Sequence, residues 1–220
     1  MLFEMLYRVG RAVIGSYARL MLKMDVHWHA SLPEGPLLFA ANHPSTTDPI
    51  FIHLISRQPM SVMIASKVFS IPLLGVYMRK MRQIEVIPGK GEQVLGQAKD
   101  ALEAGRSVTI FPEGAISPAD GFAPVRSGVA RLALRSGVPV VPIGIHLRGE
   151  NCKRVPTTLE GRPDIITWYL RGPYSITVGR PMQFQGDASD RPLVTAIAET
   201  IMERIRALAL ESKTRMQLCG

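Results

Sequence analysis

A histidine and an aspartate five positions apart, His43 and Asp48, are the residues of this sequence best placed to move a proton. They stand in residues 37–51, LLFAANHPSTTDPIF. The apolar run 37–41 reads as a buried strand, Asn42 to Thr46 break it, and Asp48-Pro49 opens a second apolar run. An imidazole and a carboxylate therefore flank a turn at the carboxyl end of a strand. Such a pair makes a general base. The neutral ring takes a proton near pH 7, and a carboxylate on its far nitrogen fixes the tautomer and steadies the imidazolium that forms. A plainer reading also fits: Asp48 caps a helix with Pro49 at its first position, and His43 is a solvated loop residue.

A second carboxylate arrives by a similar route. The β-branched run 107–111, SVTIF, leads straight into Pro112-Glu113-Gly114, where Gly114 lets a substrate approach the backbone closely. Taken alone, Pro-Glu-Gly is only a turn.

The elements that must position these groups alternate in type. Spacing predicts helix over 51–56, strand over 61–64, a loop-to-helix passage punctuated by Pro72 and Gly75, and strand over 83–87. Helix follows over 92–104, stopped by Gly105, and again over 127–136. Residues 138–145, VPVVPIGI, read as a buried strand whose two prolines place it near a sheet edge or make it irregular. A late strand, 175–178, precedes a long helix, 193–212, with Val194, Ile197, Ile201, Ile205 and Leu208 on one face. This alternation predicts a single α/β domain with a mixed, largely parallel sheet flanked by helices. Sites in such sheets gather beyond the carboxyl ends of the strands. His43, Asp48 and Glu113 all fall there. The expected organisation is an amphipathic helix at 1–24, the α/β domain at 25–212 and a frayed tail at 213–220.

The opening helix is two-faced. Glu4, Arg8, Arg11, Gly15, Arg19 and Lys23 step by three or four, opposite Leu6, Val9, Val13, Tyr17 and Leu20. A basic stripe against an apolar face suits a helix lying in a membrane interface, and equally one covering the domain's own sheet. Charges at Glu4, Arg8 and Arg11 argue against a secretory signal, and no uncharged stretch is long enough to span a bilayer. The net charge of +8 suits a partner bearing phosphates. Basic-aromatic interleaving and zinc-finger spacing are absent, which removes nucleic acid from the expected partners. Cys152 and Cys219 make no disulfide framework, so a reducing compartment is the default. His27-Trp28-His29 puts two imidazoles on one face of a strand, but no third ligand is evident, so a strand edge without metal is expected.

Asn42-His43-x-x-x-x-Asp48, followed about 60 residues later by Phe111-Pro112-Glu113-Gly114, resembles the glycerophospholipid acyltransferase family, whose best-known members acylate 1-acylglycerol-3-phosphate. Ile71-Pro72-x-x-Gly75 stands where that family's second block would. Ser127-Gly128-Val129-Ala130-Arg131-Leu132-Ala133 with Pro139-Val140-Val141-Pro142-Ile143 resembles its fourth. The resemblance implies that residues 25–212 form an acyltransferase domain. It would transfer an acyl group from acyl-coenzyme A or acyl carrier protein to a lipid hydroxyl, with His43 as base, Asp48 orienting it, and no metal or redox cofactor. It also implies that Asn42, Glu113 and Gly114 border the acceptor, and that the protein is peripheral or monotopic on the cytoplasmic face of an anionic membrane.

Two departures bear on the acceptor. Where the family pattern carries phosphate-holding arginines, this chain has Ile87-Pro88 and Ala115-Ile116. Aliphatic residues cannot replace arginine's planar fork. Either Arg82, Lys90 or Arg126 binds a phosphate in a new geometry, or the acceptor lacks a phosphate monoester. A non-catalytic lipid-binding protein of the same fold is the alternative to an enzyme.

Overall fold

The computed structural model describes residues 2–56, 58–119, 121–159 and 162–218. The first half of the chain runs α1 (Leu2–Met21), β1 (Asp25–Trp28), β2 (Leu38–Ala41), α2 (Asp48–Phe51), β3 (Met60–Ala65), α3 (Ser66–Phe69), α4 (Leu74–Lys80) and β4 (Ile84–Val86). The second half runs α5 (Gly91–Glu103), β5 (Ser107–Ile110), α6 (Gly128–Ser136), β6 (Val140–Leu147), β7 (Lys153–Leu159), β8 (Arg162–Trp168), β9 (Tyr174–Val178) and α7 (Arg191–Leu218).

One seven-stranded sheet, ordered β1-β9-β6-β2-β5-β3-β4, organises the domain, with β7 and β8 forming a separate antiparallel hairpin. The strands β6, β2, β5, β3 and β4 run parallel, while β9 lies antiparallel to β6 and β1 parallel to β9. The expected mixed, largely parallel sheet is borne out. Both faces are covered, so β2 is apolar at every position rather than alternating. Leu37, Phe39 and Ala41 pack with Ala18 of α1, with Leu22 just beyond it, and with Phe51 and Ile52. Leu38 and Ala40 face the layer of α5, α6 and α7.

Two expectations need correction. Strand β6 is central, between β9 and β2, despite Pro142. The proline nitrogen falls on the β9 side one residue beyond the paired register, which begins at Ile143↔Val178, so its missing N–H falls at the end of the ladder. Its carbonyl accepts from the Gly179 N–H at 2.9 Å. Helix α7 continues through Leu218, so residues 213–218 are not a tail. Met216 is buried, and Arg215 binds the Asp25 carboxylate at 2.7 Å and the Thr177 hydroxyl at 2.6 Å. Cys219 and Gly220 lie outside the described residues. The helix crosses β6 with backbone against backbone: a Cβ at Gly144 would stand 2.0 Å from the Ala209 nitrogen.

Helix α1 packs on the domain along one side and leaves the other exposed. Tyr7, Ala18 and Leu22 are buried against the domain, and Arg11 donates to the carbonyls of His53, Leu54 and Ser56. Val9, Val13 and Leu20 are instead 57%, 65% and 77% exposed. Among the described residues, no helix is long and apolar enough to cross a membrane.

Candidate active site

Strand β2 ends at Ala41, and the six residues before α2 make the turn that carries His43. Asn42 is buried and bridges to β6, its amide donating to the Ile145 carbonyl at 2.9 Å and accepting from the Ile145 N–H at 2.7 Å. It extends the sheet by side chain and is not among the cavity-lining residues, which corrects its expected place beside the acceptor. The turn is fastened on its other side to the exit of the β7–β8 hairpin. Ser45 Oγ donates to the Thr167 carbonyl at 2.9 Å, Thr47 Oγ1 to that of Tyr169 at 3.2 Å, and the Thr46 N–H to Thr167 at 2.8 Å.

The histidine and the aspartate meet. His43 Nδ1 is 2.9 Å from Asp48 Oδ2, and the imidazole stacks on Phe111 at 4.1 Å between centroids. Asp48 is fully buried. Its Oδ2 also accepts the Ser45 N–H at 2.8 Å, and its Oδ1 accepts the Tyr174 hydroxyl at 2.7 Å. Burial first, and the Asp48 charge second, push the Tyr174 phenol well above its ordinary range, which keeps it the donor. Position 47, not 48, is the helix cap, and no side-chain cap bond is made there. The carboxylate is spent on the imidazole and its supports rather than on helix amides. With Nδ1 bonded to the carboxylate, Nε2 is the nitrogen left for a substrate.

Glu113 does not border the acceptor as expected. It is 2% exposed, and both its oxygens are occupied: Oε1 accepts the His43 N–H at 3.0 Å and the Ser117 hydroxyl at 2.7 Å, Oε2 the Ala123 N–H at 2.6 Å. Because Ser117 N–H also donates to the His43 carbonyl at 2.8 Å, the Pro-Glu-Gly turn and the residues just after it grip the histidine's backbone on both sides. Glu113 is thus a positioning residue. Gly114, at φ +63°, does line the cavity, with Arg126 laid over it so closely that a Cβ would meet Nε at 2.7 Å.

His43 stands on the wall of a cavity of about 1290 Å³, larger than the usual pocket for a drug-sized ligand. Much of the lining is apolar, including Ile14, Ile50, Met63, Val68 and Ile71. Lys67, Lys90, Arg126 and Arg131 bring positive charge to it. Among the described residues no carboxylate pairs with Lys90 or Arg126, whereas Arg131 has Glu92 at 3.7 Å. Arg82 is not among the lining residues, so of the three cations proposed from sequence only Lys90 and Arg126 reach the cavity. Ala115 and Ile116 line it too, so the aliphatic substitutions stand where they can meet the ligand. Sequence reasoning missed Tyr7, Arg11 and Ile14, because helix spacing gives no sign that α1 folds back over the cavity.

His53, also on the wall, is half-buried, with its Nδ1 shut from solvent and without a hydrogen-bond partner among the described residues. Burial first, then Arg11, lowers its pKa to about 4. The unfolded chain binds this proton from about pH 6.5 downward and the folded chain does not, so stability falls as pH drops through that window. Unfolding free energy should decrease by about 2 kcal/mol from this residue between pH 7 and pH 5. Denaturant melts at both pH values, repeated on His53→Phe, should show the variant losing that much of the pH dependence.

The architecture is shared with the crystal structure of the 1-acyl-sn-glycerophosphate (LPA) acyltransferase PlsC from Thermotoga maritima. The TM-score is 0.66 over 96% of this chain and 79% of that one, at 19% identity. The chain belongs to the acyltransferase family, whose model matches residues 23–146, a stretch holding His43, Asp48, Glu113 and Gly114. The resemblance to glycerophospholipid acyltransferases is thereby borne out. It is 31% identical over 144 residues to the chloroplastic 1-acyl-sn-glycerol-3-phosphate acyltransferase BAT2 of Brassica napus, covering 63% of this chain and 41% of that protein. To the lyso-ornithine lipid O-acyltransferase of Pseudomonas aeruginosa it is 25% identical over 173 residues, covering 75% of this chain and 66% of the relative.

Proposed function

We propose that this chain transfers a fatty acyl group from a thioester, acyl-coenzyme A or acyl carrier protein, to a hydroxyl of a lysolipid. The observation that carries the reading is the His43–Asp48 pair, 2.9 Å apart, on the wall of a large and mainly apolar cavity. His43 Nε2 takes the hydroxyl proton as the oxygen attacks the thioester carbonyl. The tetrahedral intermediate collapses with cleavage of the C–S bond, and the imidazolium returns the proton to the departing sulfur. The ester C–O bond replaces the thioester bond, and no metal or redox cofactor enters the balance. Asp48 keeps the proton on Nδ1 and stabilises the imidazolium between the two transfers.

The acceptor head is anionic, met by Lys90 and Arg126, and is not a phosphate monoester. Ala115 and Ile116 remove a fork that a phosphate monoester would engage, a charge-assisted contact worth roughly 1.5–3 kcal/mol. One thioester assayed against lysolipids bearing phosphate monoester, phosphodiester and amino-acid heads should favour one of the latter two by about tenfold or more. Preference for the monoester would return the phosphate to a rewired site, and no turnover with any would refute the enzyme.

The exterior of α1 rests on an anionic membrane surface. Val9, Val13 and Leu20 stand outward with Arg8 and Arg19, and Ile71, Leu73 and Val76 around α4 are also exposed. Tyr77 Oη lies where a Cβ on Gly10 would meet it at 2.7 Å, so α1 and α4 form one surface. Ile71 belongs to both that surface and the cavity wall, so a lipid can pass between them along apolar contacts. Because α1 also packs the core, point changes test this better than deletion. Val13→Glu with Leu20→Glu should weaken association with anionic liposomes about tenfold or more, at roughly 1.5–3 kcal/mol per buried aliphatic side chain. Unchanged binding would remove α1 from the interface.

A further inference from the structure

We propose a transition-metal site on the surface where β1 meets the end of α7, formed by His27, His29 and Glu211. The sequence offers only the two histidines; the fold brings the third ligand from 182 residues away. One ring nitrogen of each histidine and a Glu211 carboxylate oxygen all lie within 4.8 Å of one another. His29 Nε2 is 3.0 and 2.9 Å from the two carboxylate oxygens, and His27 Nε2 is 3.9 Å from Oε1. An ion held tetrahedrally at about 2.0–2.1 Å sets its ligands about 3.4 Å apart, a value these separations bracket. Small rotations of exposed side chains close the shell.

The backbone beneath is already fixed. His27 pairs with Thr177 in the sheet, and the His29 N–H donates to the Val178 carbonyl at 2.9 Å. Glu211 is held beside them because its neighbour Ser212 bonds the Gly144 carbonyl at 3.0 Å. Arg215, 3.6 Å from Glu211 Oε1, is the one competing charge nearby among the described residues. Its guanidinium is already engaged by Asp25, Ser175 and Thr177, so Glu211 is not needed to hold it. Two imidazoles and one carboxylate select zinc and its late first-row neighbours over calcium or magnesium, which take oxygen ligands. The fourth position is left to water. Bound there, the ion fastens the last turns of α7 to the exposed edge strand of the sheet. Without it, the His29–Glu211 hydrogen bond bridges the same gap.

The test uses the full chain without a histidine tag, stripped by chelator, with zinc as the probe in calorimetry and thermal unfolding. One zinc per chain is expected, with affinity reduced about tenfold or more in His29→Ala and in Glu211→Gln. At a hundredfold excess over Kd, zinc should raise the parent's Tm by about 5–10 °C and leave the His27→Ala/His29→Ala double variant unmoved. Neither histidine lines the cavity, so acyl transfer by the metal-free double variant should match that of the metal-free parent. No saturable binding at about 100 µM zinc, or equal binding by parent and double variant, overturns the site.

Discussion

Replacing His43 with alanine should lower acyl transfer by about 10²–10⁴-fold while leaving the fold intact. The fold should survive because the imidazole makes one side-chain hydrogen bond, to Asp48, and a stacking contact with Phe111. The grip of Glu113 and Ser117 runs through the histidine's N–H and C=O, which alanine retains. The loss should therefore fall on kcat, with thermal unfolding little changed. A variant that transfers acyl groups from a labelled thioester at the parent rate would end the general-base account. A parent that binds lysolipid and thioester without turnover would instead favour a lipid-binding protein of the same fold.

Asp48→Asn should cost a comparable 10²–10⁴-fold, for a different reason. Both carboxylate oxygens accept, and asparagine must present an NH₂ to one set of donors. Turned toward Oδ2, the NH₂ faces the Ser45 N–H and leaves His43 Nδ1 without an acceptor, so the ring loses its usable tautomer. Turned toward Oδ1, it meets Tyr174, whose hydroxyl can rotate to accept, yet the neutral amide no longer stabilises the imidazolium. A buried mismatch of this kind also costs roughly 1–3 kcal/mol of stability. Unchanged turnover would reduce Asp48 to a residue of the helix's first turn. Measuring kcat beside a thermal melt separates the two effects.

What could be read from the sequence was what is local in the chain. His43 and Asp48 are five residues apart, and their meeting needs only a turn. The strand-helix alternation followed from hydrophobic period. The misassigned residues are those whose partners are distant. Glu113 reaches the His43 N–H across 70 positions and Asn42 reaches Ile145 across 103, so polar side chains that looked ready for a substrate are fastening the sheet. Hairpin β7–β8 went unread because it pairs only with itself and leaves Val155 and Ile165 exposed, so no buried stripe marks it. Helix α7 was cut short at Ser212 because charged residues follow, although Arg215 turns back onto Asp25 and Met216 inward.

The pairing of β1 with β9 bears on how the protein is made. Asp25 must wait for Ser175, 150 residues later, and at 5–20 residues per second a ribosome takes roughly 10–30 s to deliver it. For that interval α1 has emerged while the strands that seat its inner side are unfinished, so its apolar surfaces are all open at once. A lipid bilayer near the exit tunnel can claim the helix before the domain does. If α1 rests on a membrane as proposed above, attachment would precede folding, and the finished sheet would close onto a helix already in place.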